Sequence, residues 1–275
     1  MKKRFTPLLL LLPLLPLADA QAQQAPSPYR TRFAVDAPVT AGLGALSGVG
    51  LLLISRKDGL NQTELAALSK QDVPKFDRFS AGNYSTSAQT ASDLIVYPSL
   101  LLAPGLLALD SDVRARYGQV LGLYLQTMAA SNAAFTLTAG NVYRYRPFLY
   151  GPEGGSKRTS HISTNSFFAG HTANTAAATF FAAKVYHDFH PGSAARPFVW
   201  GAAALVPAAT GYFRLKAGKH FLSDNILGYS VGAAVGILVP QLHKTTSRTG
   251  LSVFPVQGLN VNGYAYSGLG FTKQL

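Results

Sequence analysis

Residues 213–225 read FRLKAGKHFLSDN, a basic stretch between two runs free of Asp, Glu, Lys and Arg: Pro197 to Phe213 and Asn225 to His243. Three more such runs precede them, Ala37 to Ser55, Leu94 to Leu109 and Tyr117 to Tyr143. Each is near the length of a membrane span, and all are rich in Gly and Ala, which let helices approach closely. A sixth helix is expected over 166–189, ended by His190-Pro191-Gly192. The expected fold is therefore all-α, a bundle of about six core helices embedded in a membrane. A tightly packed soluble bundle is the alternative, since the mean hydropathy is only +0.15.

The ends differ in character. Lys2-Lys3-Arg4, the apolar Leu8 to Leu17 and Ala18-Asp19-Ala20 have the layout of an export signal over 1–20. Its apolar run is about ten residues, well short of the roughly twenty that span a bilayer. Residues 21–32 read as a linker, 33–244 as the bundle, and 245–275 as an extension. In the extension, Leu251, Val253, Tyr264 and Tyr266 around Gly258 and Gly263 suggest a small β-hairpin. In the polar segment Arg56 to Ser92, Thr63-Glu64 opens a short helix that ends before Pro74. Export places the mature start outside, so an outward-facing site requires one early run not to cross. Leu94 to Leu109, short and holding Pro104-Gly105, is the candidate.

Composition narrows the function. The 275 residues include no cysteine, which removes disulfides, thiolate chemistry and the usual zinc fingers. A net charge of +12 suits phosphorylated substrates, an anionic membrane or nucleic acid. No basic run with interleaved aromatics argues for nucleic acid. Membrane lipid and a phosphorylated lipid or other phosphate compound are the expected partners. No cofactor and no metal are expected.

Three short stretches carry the chemistry. Arg214, His220 and Asp224 come first: an imidazole and a carboxylate four apart share a helix face, and the carboxylate would hold the imidazole in one tautomer. His171 follows Gly170 at an expected helix start, where free amides and the helix dipole favour an anion. Glycine lets the backbone come close to that anion, and the imidazole is placed as a general acid. Arg146 precedes Pro147, and Arg144 lies two residues earlier, so on extended chain both guanidinium groups point to one side. Arginine forks suit phosphate oxygens. His161, His187, His190 and His243 have no partner at a useful spacing and read as surface or cap residues.

These stretches resemble the type-2 phosphatidic acid phosphatase superfamily, which also includes bacterial non-specific acid phosphatases and vanadium haloperoxidases. Its pattern, Lys-x6-Arg-Pro, Pro-Ser-Gly-His and Ser-Arg-x5-His-x3-Asp, falls on Ala139 to Pro147, Phe168 to His171, and Phe213-Arg214 through His220 to Asp224. The resemblance implies a metal-independent phosphatase in which His220 attacks phosphorus, Asp224 orients it and His171 is the acid. Arg146 and Arg214 would hold the phosphate oxygens, helped by the Ala169 and Gly170 amides. With the export signal and the charge-free runs, the expected place is the bacterial cell envelope, the inner membrane first and a soluble periplasmic protein as the alternative. The family lysine falls at Ala139, the proline at Phe168, and the two serines at Ala169 and Phe213. Arg144 is the first replacement for the lysine's charge, with Lys157 or Arg158 reaching in from the connecting loop. Two rival classes follow: a non-catalytic lipid-phosphate binder on the same fold, and a vanadate-dependent peroxidase.

Overall fold

The computed structural model describes residues 27–245, 251–259 and 262–273. The expected export signal and most of the linker lie outside them. Six long helices occur among the described residues: α1 (Phe33–Ser55), α3 (Thr86–Leu109), α5 (Tyr117–Asn141), α6 (Gly170–Phe189), α7 (Arg196–Lys216) and α8 (Leu222–Leu242). Two short ones, α2 (Gln62–Ala67) and α4 (Ser111–Arg114), lie between them. The fold is a helical bundle, as the charge-free runs suggest.

Helix α6 is the centre, packed against α3, α5, α7 and α8, while α1 lies outside against α5. Its alanines explain that place. Ala173, Ala176, Ala177 and Ala178 are all fully buried, so neighbouring backbones come close on several sides. The closest approach is to α8. A Cβ on Gly228, Gly232 or Gly236 would lie 2.5, 2.0 or 2.6 Å from the carbonyl oxygen of Ala169, Ala173 or Ala177. Glycine every fourth residue thus gives α8 a bare stripe on which α6 rests.

Helix α6 begins at Gly170, four residues later than expected. The reason is tertiary. The Ser166 N–H donates to the Arg144 carbonyl at 2.9 Å, its hydroxyl donates to Asp224, and its carbonyl accepts from His220. Those bonds hold the segment outside the helix despite its favourable start signal. Helix α2 starts one residue before the expected Thr63: Asn61 accepts from the Glu64 N–H and Glu64 accepts from the Asn61 N–H, a reciprocal cap.

Among the described residues, three helices, α1, α3 and α8, are long and apolar enough to cross a membrane. The run suspected of failing to cross lies within α3, which continues through Pro98 and Pro104. Leu46, Leu51 and Leu52 on α1 and Leu94, Leu101 and Leu109 on α3 are exposed. Apolar faces of this extent suit contact with lipid tails. The C-terminal hairpin is present, β1 (Leu251–Leu259) antiparallel to β2 (Ala265–Lys273), with Leu259 opposite Ala265. Gly263, at φ +78°, lies in the connection between them.

Candidate active site

His220 stands between two helices rather than on one. Helix α7 ends at Lys216, and Gly218, at φ +68°, turns the chain. A Cβ there would lie 1.7 Å from the Asn83 carbonyl oxygen, so the turn requires glycine. Helix α8 starts at Leu222, two residues after His220. The expectation of a shared helix face for His220 and Asp224 is therefore corrected. The imidazole is buried, and its Nδ1 lies 2.6 Å from the Ser166 carbonyl oxygen. A carbonyl only accepts, so Nδ1 carries the proton and Nε2 keeps its lone pair.

Asp224 is the third residue of α8 and fully buried. It accepts from the Ser166 hydroxyl at 2.6 Å and from the Phe221 N–H at 2.8 Å. Its other oxygen pairs with Arg144. The direct Asp224 to His220 contact expected from the spacing is replaced by a relay. Asp224 holds Ser166, and Ser166 holds His220.

Arg144 is engaged elsewhere than expected. It bridges Asp224 and Asp77, the second at 2.6 Å. Asp77 also accepts from the Ser223 N–H at 2.9 Å and the Ser223 hydroxyl at 2.6 Å. This network ties the polar segment after α2 to the start of α8. It occupies the guanidinium that the sequence offered as a replacement phosphate ligand.

Arg146 and Arg214 have a different character. The Arg146 N–H donates to the Ser163 carbonyl at 2.9 Å, which fixes the backbone, and its side chain is buried with Nε lacking a partner. Arg214, in the last turn of α7, is also buried with Nε unpartnered. Its guanidinium lies 3.4 Å from the Ser92 hydroxyl and 3.5 Å from Asp93, both long contacts. Asp93 also lies 3.5 Å from His171 Nε2. Two buried guanidinium groups left short of acceptors are costly unless an anion arrives.

The four groups act on one another. Burial first, then Arg146 and Arg214, hold the His220 imidazole well below its ordinary pKa. Burial, then Arg214, Arg146 and Lys219, hold His171 down at about 3. Arg146 itself is lowered to about 9 by burial and by Arg214. Both imidazoles are therefore neutral at pH 7 before any ligand binds.

The start of α6 departs from expectation in one respect. The Ala169 N–H donates to the Asp224 carbonyl at 3.1 Å and is not available to an anion. The close α6–α8 crossing imposes that bond. Gly170 opens the helix, where first-turn amides lack intrahelical acceptors. Glycine is also needed for packing, since a Cβ would lie 2.7 Å from the Phe135 ring.

Sequence reasoning missed Asp77, Asp93 and Lys219, and it assigned Ser166 to a helix start. Asp77 and Asp93 sit at no spacing that ties them to the three stretches, whereas Lys219 lies inside the third, directly before His220. Asp110, Asp112 and His190, the trio of metal-capable side chains among the described residues, includes the C-cap of α6. His171 is at the other end of that helix.

The PAP2 superfamily model matches residues 120–248, a stretch from within α5 past the end of α8 that includes Arg144, Arg146, His171, Arg214, His220 and Asp224. That stretch is similar to the PAP2 superfamily. Among solved structures, the first transmembrane PAP2 type phosphatidylglycerolphosphate phosphatase from Bacillus subtilis is similar at 16% identity. The likeness covers 78% of this chain and 96% of that chain, with a TM-score of 0.43. No curated protein matches.

Proposed function

We propose that the chain is a metal-independent phosphatase of a bacterial inner membrane, acting on a lipid phosphomonoester or pyrophosphate through a phosphohistidine. The observation that carries this reading is a pair of buried arginines, each with an unpartnered Nε, beside an imidazole whose Nε2 lone pair is left free. The match of residues 120–248 to the PAP2 superfamily model supports phosphatase activity. The exposed apolar faces of α1 and α3 support a lipid substrate.

In the proposed reaction, Arg146 and Arg214 bind the non-bridging oxygens, where negative charge gathers in the transition state. His220 Nε2 forms a bond to phosphorus as the bond to the leaving oxygen breaks. His171 gives that oxygen a proton. Its low pKa in the free site is no obstacle, because a phosphate dianion among these cations raises it. His171, now neutral, takes a proton from water, whose oxygen attacks phosphorus and frees His220 and inorganic phosphate. Asp224 acts at one remove, by fixing Ser166, and Arg144 fixes Asp224. The Gly170 amide adds a donor at the helix start.

The test is phosphate release by purified protein from phosphatidic acid, phosphatidylglycerol phosphate, polyprenyl pyrophosphate and lipid A. Release from at least one, abolished by His220→Ala and unaffected by chelator, supports the reading. Binding without release supports the non-catalytic alternative, which the alanine at position 139 motivates. Halide oxidation dependent on added vanadate supports the peroxidase.

A further inference from the structure

Position 139, on α5, holds a fully buried alanine, so any further cation at the phosphate site comes from elsewhere in the fold. Lys57 is the lysine nearest to it. Its Nζ donates to the Ala139, Val142 and Thr164 carbonyls at 2.9, 2.8 and 3.3 Å. All three of its hydrogens are engaged, and two of the bonds satisfy carbonyls at the end of α5. Lys57 is a helix cap. Arg144 is engaged by Asp77 and Asp224, and Arg158 donates to the Leu149 carbonyl at 2.9 Å.

A small cavity of about 60 Å³ remains, lined by Arg146, Lys157, Ser160, Ser163 and Lys219. No carboxylate lines it. Arg146 Nε and the Ser163 hydroxyl, both buried, have no partner. Lys219 adjoins His220 in sequence, and its Nζ rests over the Phe148 ring, 5.5 Å from the centroid. Such a contact leaves the ammonium hydrogens available to an acceptor. Burial, Arg146, Arg214 and Lys157 together lower this lysine to about 8. That is the field of a pocket made for negative charge. The cavity shares Arg146 with the proposed reaction centre, and Lys219 also acts on His171.

We propose that Lys219, with Lys157 across the cavity, completes the phosphate-binding site by drawing phosphoryl oxygens of the substrate against Arg146. This rests on the phosphatase reading and adds a residue to it. The Ser163 hydroxyl supplies a neutral donor to the same oxygens. Lys157 is exposed and works from the rim.

The experiment compares wild type with Lys219→Gln, Lys219→Arg and Lys157→Gln. Affinity for orthophosphate is measured by calorimetry, and kcat and KM by phosphate release. Lys219→Gln is expected to weaken orthophosphate binding about 10- to 100-fold, the value of one charge-assisted hydrogen bond. Lys219→Arg should restore most of it, and Lys157→Gln should lose only a few-fold. A folded Lys219→Gln protein, melting like wild type, with unchanged orthophosphate affinity overturns the proposal. If that occurs while wild type still releases phosphate and His220→Ala does not, the phosphatase reading stands and only Lys219 is lost. If wild type releases nothing, the phosphatase reading falls. The orthophosphate comparison then still decides the role of Lys219.

Discussion

The Ser166 hydroxyl donates to the Asp224 carboxylate at 2.6 Å, and the same serine presents its carbonyl to His220 Nδ1 at the same distance. One small residue therefore transmits the position of a buried carboxylate to the proposed nucleophile. Asp224 holds it by a charge-assisted bond, of the kind worth about 1.5–3 kcal/mol.

Asp224→Asn should consequently be milder than His220→Ala. The amide oxygen can still accept from Ser166, so kcat should fall about 10- to 100-fold with KM little changed, while His220→Ala falls to background. Ser166→Ala keeps the carbonyl and should resemble Asp224→Asn. Steady-state phosphate release measures this. Equal losses for Asp224→Asn and His220→Ala would mean that the carboxylate acts on the imidazole directly.

Arg144→Gln leaves Asp77 and Asp224, both buried, without their shared cation. Removing one partner of such a pair is strongly destabilising; with Arg144 partly exposed, a loss of about 2–3 kcal/mol is expected. Vanadate affinity of the folded fraction should stay within a few-fold of wild type. Arg146→Gln should do the reverse, losing vanadate affinity with a smaller change in melting. Thermal unfolding in detergent, with and without vanadate, separates the two.

Stability should fall in mild acid. His220 is held well below 6.5 in the folded protein but titrates near 6.5 when unfolded. Below that pH the unfolded chain binds a proton that the folded one does not, so stability falls as pH falls. The slope for His220 approaches about 1.4 kcal/mol per pH unit, and His171, held at about 3, adds in the same direction. Melting temperature should drop from pH 7.5 to 5, and His220→Asn should flatten the curve. A saturating phosphate analogue should flatten it too, because a bound dianion raises both imidazoles.

Gly232→Ala should destabilise the bundle by about 1–3 kcal/mol, since even a methyl group would press on the Ala173 carbonyl at 2.0 Å. Gly48→Ala on α1, with nothing within 4 Å of the new carbon, should be neutral or mildly stabilising through helix propensity. Equal melting of the two variants would remove the α6–α8 stripe as the basis of the core.

The helices were readable in the chain because a helix is a local structure. Each charge-free run ends where charge, proline or glycine appears, and all five coincide with helices of the fold. Gly170-His171 at the head of α6 and the buried pair Arg146 and Arg214 were likewise visible from residue type and neighbours. The start of α6 was not, because Ser166 is held by Arg144, Asp224 and His220 from three other parts of the chain.

The amino-acid sequence alone determined the six long helices and their approximate places, the hairpin and most of the side chains proposed to handle phosphate. Tertiary structure alone decided what each side chain touches. It turned His220 to a carbonyl rather than to Asp224, and it gave Arg144 to two carboxylates. It bonded the Ala169 amide to α8 and set Lys219 beside Arg146. Helical spacing relates residues three or four apart, whereas these partners lie tens of residues apart and meet only through the packing of the bundle and its connecting segments.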